Sequence, residues 1–339
     1  MTKPNRPRTG KGPGANTVQY HEPVFVAEVM KRLRPQPGAI FCDGTIGSAG
    51  HGSLIVSALG GRGTFIGLDR DPAMLERART RLEGMQEANG VRLILEAAKY
   101  EELPAILKRE GLTGVNGILL DLGINSLHVA HDAAERGFSF SHDGPLDGRF
   151  NPNEPGTQSV ESLVNNAAEA DIARWLFEYA DERFARAIAR RIVRERAVQP
   201  IRTTRQLAEI VALCYPPKLR HGSLHPATRT FQTFRIVAND ELGCVERGIR
   251  ACIESLLPGG TCVVLSYHSG EDRITKRLFD EYGSPRPDPS NLYSATTTKG
   301  LEYRVEKRGA LKPSDAEIAS NPRARSARLR AITRLEVAA

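Results

Sequence analysis

The sequence predicts an α/β protein: a mostly parallel, doubly wound sheet with an all-helical segment inserted into it. Three observations carry this. Apolar runs that end in an acid recur, at 39–43, 64–69 and 115–121, finishing in Asp43, Asp69 and Asp121. A glycine-rich turn, Gly44-Thr-Ile-Gly47-Ser-Ala-Gly50-His51-Gly52, follows the first run. After the third run the strand–helix alternation breaks down over 134–222 and resumes beyond it. Polar groups at the carboxyl ends of successive strands are where ligands sit in doubly wound sheets.

Composition sets the outer bounds. The chain has 339 residues, 40% hydrophobic and 26% charged, which suits one large globular domain or two smaller ones. A net charge of +7 favours a polyanionic partner, nucleic acid first. The five cysteines are scattered without C-x-x-C pairs. Cys42 and Cys262 fall in apolar runs and are expected to be small core residues. No apolar run has the length of a membrane span and the N-terminus lacks a signal-type apolar core, so a cytoplasmic protein is expected.

In chain order, 1–18 reads as a disordered basic arm carrying Lys3, Arg6, Arg8 and Lys11. A short helix with Val26, Met30 and Leu33 on one face follows, and Pro35-Gln-Pro-Gly38 ends it. The βαβ unit of 39–69 comes next. Its glycines let a backbone approach a ligand, and Asp69 can accept both hydroxyls of a ribose. A dinucleotide site expects G-x-G-x-x-G. Here the spacing is Gly44-x-x-Gly47-x-x-Gly50, with Asp43 directly before it. A carboxylate there would repel a pyrophosphate and suits a cofactor with a positive charge and an amino group, such as S-adenosylmethionine. The plain alternative is a tight strand-to-helix turn with no ligand.

Asp71-Pro72 then caps and opens a helix whose buried stripe is Met74, Leu75, Ala78 and Leu82. A third strand over 91–95 leads to Tyr100 at the sheet's carboxyl edge, where its ring is placed to pack on an adenine or simply to sit at the rim. A helix over 103–110 precedes the fourth strand. Residues 131–157 show no period but interleave Phe138, Phe140 and Phe150 with Gly, Pro and charge, which argues for an ordered functional loop. The pattern over 159–216 is helical. Ile172, Trp175, Leu176 and Tyr179 make one apolar face; Phe184, Ile188 and Ile192 make another. Arg183, Arg186, Arg190 and Arg194 fall together on the opposite side. Residues 181–220 hold ten Lys and Arg against four acids, consistent either with an RNA- or DNA-facing surface or with a solvated arginine face. From His225 on, a long helix is expected to resume the α/β pattern, with Gln232, Arg235 and Asn239 on its polar side. Pro258-Gly-Gly marks a sharp turn into the next strand, which ends at Ser266-Tyr-His268-Ser-Gly-Glu-Asp-Arg273. The domains expected are therefore 19–133 with 223–312, the helical insertion 134–222, and a basic tail over 313–339 whose arginines could meet phosphates.

Other chemistries fit poorly. The close histidine pairs are His128/His131 and His221/His225, no H-E-x-x-H occurs, and no metal is expected. No G-x-S-x-G elbow supports a hydrolase.

Five ordered segments together resemble one family: Asp43-Gly-Thr-Ile-Gly-Ser-Ala-Gly-His51, Asp121-Leu-Gly-Ile-Asn-Ser126, Arg229-Thr-Phe-Gln-Thr-Phe-Arg-Ile236, Ser266-Tyr-His-Ser-Gly-Glu-Asp-Arg273 and Asn321-Pro-Arg-Ala-Arg-Ser-Ala-Arg-Leu-Arg330. The chain is similar over 21–330 to the bacterial ribosomal RNA small subunit methyltransferase H family. That resemblance implies a Rossmann-like class I S-adenosylmethionine-dependent methyltransferase with an inserted helical domain. It implies N4-methylation of a cytidine in the decoding region of 16S rRNA, with 16S rRNA or the 30S subunit as partner; a homodimer is left open. It further implies that Ala49, Gly50 and His51 wrap the methionine end of the cofactor. Asp69 holds the ribose, Tyr100 and Asp121 flank the adenine, and His128 closes the pocket. His268 is the candidate proton acceptor or base-positioner. The sequence departs from the family's pattern at Ala49, where glycine is usual, at His128, where glutamine is usual, and at Tyr267, where phenylalanine is usual. The rival readings are an amino-methyltransferase for another rRNA or DNA base, and a non-catalytic RNA-binding assembly factor.

Overall fold

The structure is a computed structural model and describes residues 23–85, 88–123, 135–220, 225–284, 286–287, 298–299, 301–306 and 309–336. The basic arm expected over 1–18, and His128, lie outside the described residues. At the centre is a seven-stranded sheet in the order β3-β2-β1-β4-β5-β9-β8. Its strands are β1 (Ile40–Asp43), β2 (Gly63–Asp69), β3 (Val91–Ala97), β4 (Val115–Asp121) and β5 (Leu256–Ser266), with β8 (Tyr303–Val305) and β9 (Arg328–Arg334). A separate pair joins β6 (Arg286–Pro287) to β7 (Thr298–Lys299). The first five strands are parallel, and β9 runs antiparallel between β5 and β8. The chain winds outward from β1 to β3 on one side and from β4 to β5 on the other. The switch point therefore lies between β1 and β4, as in the doubly wound, Rossmann-like architecture.

Helices cover both faces. On one side lie α1 (Val26–Leu33), α2 (Gly50–Ala58) and α3 (Pro72–Glu83), burying Val29, Ile55, Ala78 and Leu82 against Phe41 and Phe65. The other side carries α4 (Leu103–Arg109) and two later helices, with Leu103, Ile249 and Phe279 packed on Cys42, Ile118 and Cys262. Cys42 and Cys262 are fully buried, and burial pushes both thiols up, with Asp43 and Cys262 adding to the rise at Cys42. Asp71 caps α3 by accepting from the Ala73 N–H at 2.9 Å, with Pro72 in the first turn.

A third core belongs to helices alone. It joins α5 (Val160–Asn166), α6 (Glu169–Ala180), α7 (Ala185–Val198), α8 (Thr204–Ala212) and α9 (Thr228–Ala238). Ile172, Leu176, Ile188, Ile192, Leu207 and Phe234 meet there with no exposure. Thr203 and Gln206 form the reciprocal cap of α8 that the sequence signals. One boundary moves. The helix after His225 was expected on the sheet, yet Phe231, Phe234 and Ala238 place α9 in this helical core. Its partner α10 (Glu241–Glu254) is the helix that returns to the sheet, followed after β5 by α11 (Ser269–Tyr282). Phenylalanines and β-branched residues suit either surface, and periodicity does not say which neighbour takes them.

Two further expectations change. Pro258-Gly259-Gly260 is not a turn before a strand but a bulge within β5. Pairing steps from Val115↔Leu256 to Gly117↔Thr261, and Gly259 takes a φ of +79°. The basic tail over 313–339 is in part a sheet strand. Leu329 and Ile332 are buried, Ile332 opposite Cys262, and Arg330 pairs with Asp272 at 2.8 Å instead of waiting for phosphate. The arginines hid a short strand. Ahead of it, α12 (Asp315–Ser320) is capped by Ser314.

Candidate active site

Strand register sets the depth of the three acids. Asp43 is level with Gly67 on β2 and Leu119 on β4, so Asp69 and Asp121 each project two residues further. That is about 7 Å along the strands. Asp43 is thus recessed between them and only 1% exposed. Burial raises its carboxyl to about 7; Asp121 and Asp69 add to the rise, and the Thr45 amide and hydroxyl oppose it. Three carboxylates converging at a buried strand end favour a cation among them.

The glycine turn closes on itself through the Ala49 N–H and the Ile46 carbonyl, 2.7 Å apart, and is also tied to these acids. Asp69 accepts the Gly47 N–H and the Asp71 N–H, each at 2.9 Å, one on each oxygen. Asp43 accepts the Thr45 N–H at 3.1 Å, and the Thr45 hydroxyl accepts the Asp121 N–H at 2.6 Å. Gly44 has no room for a side chain: a Cβ there would lie 2.6 Å from Leu120 and 2.8 Å from Tyr100. Ala49 precedes α2 in the left-handed region, φ +59°, which explains why glycine suits the position. Gly50 opens the helix against Pro23. His51 is 4% exposed; its Nε2 donates to the Val24 carbonyl at 2.9 Å and its Nδ1 lies 3.7 Å from Asp121 Oδ2.

Asp121 connects the two halves of the site. Its Oδ1 accepts the Tyr267 hydroxyl at 2.8 Å from beyond the end of β5. Burial raises the Asp121 carboxyl, while His51 and the Tyr267 hydroxyl pull it back. Tyr100 is mostly buried, under the turn: its ring fills the space that a side chain at Gly248 on α10 would need, 2.0 Å from that position. Burial raises its hydroxyl pKa.

His268 has a structural job that the sequence did not reveal. It caps α11: its Nδ1 accepts the Gly270 N–H at 3.2 Å. The ring proton therefore sits on Nε2, 3.1 Å from Glu271 Oε1 but outside hydrogen-bond alignment. Glu271 Oε2 in turn accepts the N–H groups of Tyr267 (2.8 Å) and His268 (3.2 Å). Burial would raise Glu271, but the histidine and the two amides outweigh it and hold the carboxyl below the usual range. A ring whose acceptor nitrogen is already bonded to backbone is poorly placed to take a proton from substrate.

Sequence reading missed the residues that fasten the aromatic loop. Asn239, at the end of α9, accepts the Phe150 N–H and donates to the Gly148 carbonyl, each at 2.8 Å. Arg70, next to Asp69, donates to the Asn239 carbonyl at 2.7 Å and pairs with Glu154 at 3.0 Å; Lys99 reaches the same Glu154. Arg136 pairs with Asp71 at 2.6 Å and lies over the Phe138 ring, which stacks on Phe150 at 5.4 Å. The described part of the loop is thus ordered against the carboxyl edge of the sheet. The polar face Arg235–Asn239 was a visible signal; its target was not.

A family model described as the MraW methylase family matches residues 18–335. A Geobacter sulfurreducens protein named "Ribosomal RNA small subunit methyltransferase H" is 44% identical over 315 residues, covering 93% of this chain and 99% of its own. The protein of the same name from Heliobacterium modesticaldum is 41% identical over 319 residues, covering 94% and 99%. That from Acidothermus cellulolyticus is 45% identical over 318 residues, covering 93% and 94%.

Proposed function

Because the chain belongs to the MraW methylase family, and so is a methyltransferase, we propose that it uses S-adenosylmethionine to methylate N4 of a cytidine in small-subunit ribosomal RNA. The observation that carries this is the recessed Asp43 between Asp69 and Asp121, a buried nest of acids that suits a cationic nucleoside. The identity to the three named proteins over nearly their whole length supports the ribosomal substrate, in the cytoplasm, at the decoding region of 16S rRNA. A non-catalytic assembly factor would have no use for all three acids around one glycine turn.

The residues present fit the cofactor. The Gly47 and Asp71 N–H groups fix the Asp69 carboxylate at the end of its strand, where a carboxylate suits the hydroxyls of a ribose. Asp43 and Asp121 supply negative charge beside the methionine end, where Ala49, Gly50 and His51 form the wall. Tyr100 holds the turn from below, on the adenine side. His128 is assigned the mouth of the pocket from the family pattern. The bound cofactor supplies an electrophilic sulfonium methyl.

What the chain does is align and exclude water. A cytidine amine is a weak nucleophile, because its lone pair is delocalised into the ring. It loses one proton for the methyl it gains, so an acceptor at its N–H helps. Asp121, held by Tyr267 and free of backbone on Oδ1, is better placed for that than the capped His268. The target base must leave its stack, and Phe138 and Phe150 at the carboxyl edge are the surface that receives it. The helical layer meets the RNA around it. The test is binding of labelled S-adenosylmethionine followed by methyl transfer to 30S particles, with the modified nucleotide mapped. Cofactor binding without transfer to a 16S cytidine N4 would overturn the proposal.

A further inference from the structure

Helix α7 buries Ala185, Ile188, Ala189 and Ile192 in the helical core. Its other side turns Arg186, Arg190 and Arg194 outward, the latter two with 78% and 66% of their side chains exposed. Protein acids do little to neutralise them. Arg186 makes no ion pair or hydrogen bond to another described residue. Arg190 comes only to 4.0 Å from Glu169. Arg194 shares Glu195 with Arg191, at 3.0 and 3.5 Å.

The surface continues past the helix start. Arg183 lies over the Phe184 ring at 5.7 Å, and that ring packs on Tyr215 at 4.5 Å. Both rings are half-buried. Arg220 donates to the Tyr215 carbonyl at 2.8 Å, and Arg229 to the Asp181 carbonyl at 3.0 Å. Of the two adjacent acids Asp181 is exposed, but Glu182 is turned inward: it is 1% exposed and spends its oxygens on the Tyr215 hydroxyl (2.5 Å) and the Phe184 N–H (2.8 Å). Exposed guanidiniums that outnumber the acids around two partly open rings, with Glu182 sequestered, match a single-stranded nucleic-acid backbone. Arginine forks take phosphates, and aromatic faces take sugars or bases.

We infer that this face, built from Arg183, Arg186, Arg190, Arg194, Arg220 and Arg229 around Phe184 and Tyr215, holds the sugar–phosphate backbone of the RNA substrate at a distance from the reacting base. It rests on the methyltransferase reading for the identity of the substrate. The distance follows from α9, which runs between the two places. Asn239 at its end bonds Phe150 and Arg70 beside Asp69, and Arg229 stands at its start. Eleven residues of helix span about 16 Å. That is roughly five stacked nucleotides at ~3.4 Å each. The contact therefore needs flanking RNA and is absent from a short fragment.

The experiment is binding of fluorescent, unstructured RNA oligonucleotides with a central cytidine to the full chain, as a function of salt. Two lengths are used, with two and with eight nucleotides on each side. For the long RNA, R186Q/R190Q/R194Q lowers the slope of log affinity against log salt by about 2, from ~0.7 per lost phosphate contact. The lysine triple R186K/R190K/R194K keeps most of the wild-type slope. The short RNA binds wild type and both variants alike. An unchanged slope in the folded glutamine variant, checked by its melting temperature, overturns the inference, and so does an equal loss with both lengths. Labelled S-adenosylmethionine binding by wild type is measured alongside. If it fails, the methyltransferase reading falls while the RNA result stands by itself.

Discussion

The Tyr267 hydroxyl donates to Asp121 Oδ1 at 2.8 Å, joining the ends of the neighbouring strands β4 and β5. Burial and the neighbouring Asp121 keep the phenol protonated, so it stays a donor. Burial raises Asp121, and this bond is one of the two influences that lower it again. Tyr267→Phe removes that influence, so the Asp121 carboxyl titrates at higher pH. A hydrogen bond to a charged group is worth about 1.5–3 kcal/mol, and the lower end is expected here, roughly tenfold in affinity. The deficit in S-adenosylmethionine binding should be larger at pH 6 than at pH 8.5, because the variant's Asp121 takes up its proton before the wild type's as pH falls. Calorimetry at the two pH values checks it, and equal affinities at both would sink the idea.

Asp43 gives a pH dependence of known sign. Its folded value is raised from 3.8 to about 7, first by burial. A raised carboxyl contributes stability that is complete below the unfolded value and is lost as pH climbs through about 7. The ligand-free protein should therefore melt lower at pH 8 than at pH 5.5 on account of this group. Asp43→Asn removes the buried charge, and should gain on the order of a few kcal/mol at pH 8 and roughly half as much at pH 5.5, where the unfolded carboxyl is already ionised. The same variant should lose cofactor affinity, because the negative charge is what a sulfonium and an ammonium need. Stability and binding then move in opposite directions. A variant that is destabilised at pH 8 would contradict this.

Ala49 sits at φ +59° with no exposure. A left-handed L-residue costs about 1–2 kcal/mol, and glycine avoids most of that at some cost in unfolded-chain entropy. Ala49→Gly should stabilise by about 0.5–1 kcal/mol, a rise of ~1–3 °C by calorimetry, with methyl transfer retained. Ala49→Val, β-branched and with no space, should destabilise by several times as much. A glycine variant that melts below wild type would show that the Ala49 methyl, packed among the buried apolar groups of α1 and α2, outweighs the strain.

The sheet was legible because its strands end alike. Asp43, Asp69 and Asp121 each close an apolar run, and the glycine turn fixes which strand comes first. The recess of Asp43 was not legible, because register is a property of pairing and not of any one strand. His268 shows a second limit. A histidine at a strand end looks like a proton acceptor until the Gly270 N–H is seen on its Nδ1. The x-x-Glu spacing to Glu271 was a capping signal, but histidine is not among the usual cap residues. Arg328–Arg334 shows a third. Charge on alternate residues concealed Leu329 and Ile332, because a strand between two others needs only a few apolar side chains per face.

Asn239 separates binding of the cofactor from handling of the base. Its side chain holds the Phe150 N–H, the Gly148 carbonyl and the Arg235 carbonyl, at 2.8, 2.8 and 2.9 Å, with 2% exposure. Asn239→Ala leaves buried loop groups unmatched, a cost of about 1–3 kcal/mol each before relaxation. The loop carries no Asp43 or Asp69 contact through Asn239, so the glycine turn should keep its geometry. Methyl transfer to 30S particles should fall at least tenfold while S-adenosylmethionine affinity stays within about twofold, since 1.4 kcal/mol is a factor of ten. Asn239→Asp keeps the acceptor for Phe150 but cannot donate to Gly148, and should fall between the two. If cofactor affinity drops as far as transfer does, the loop is part of the cofactor pocket, and Phe138 and Phe150 are not the receiving surface for the base.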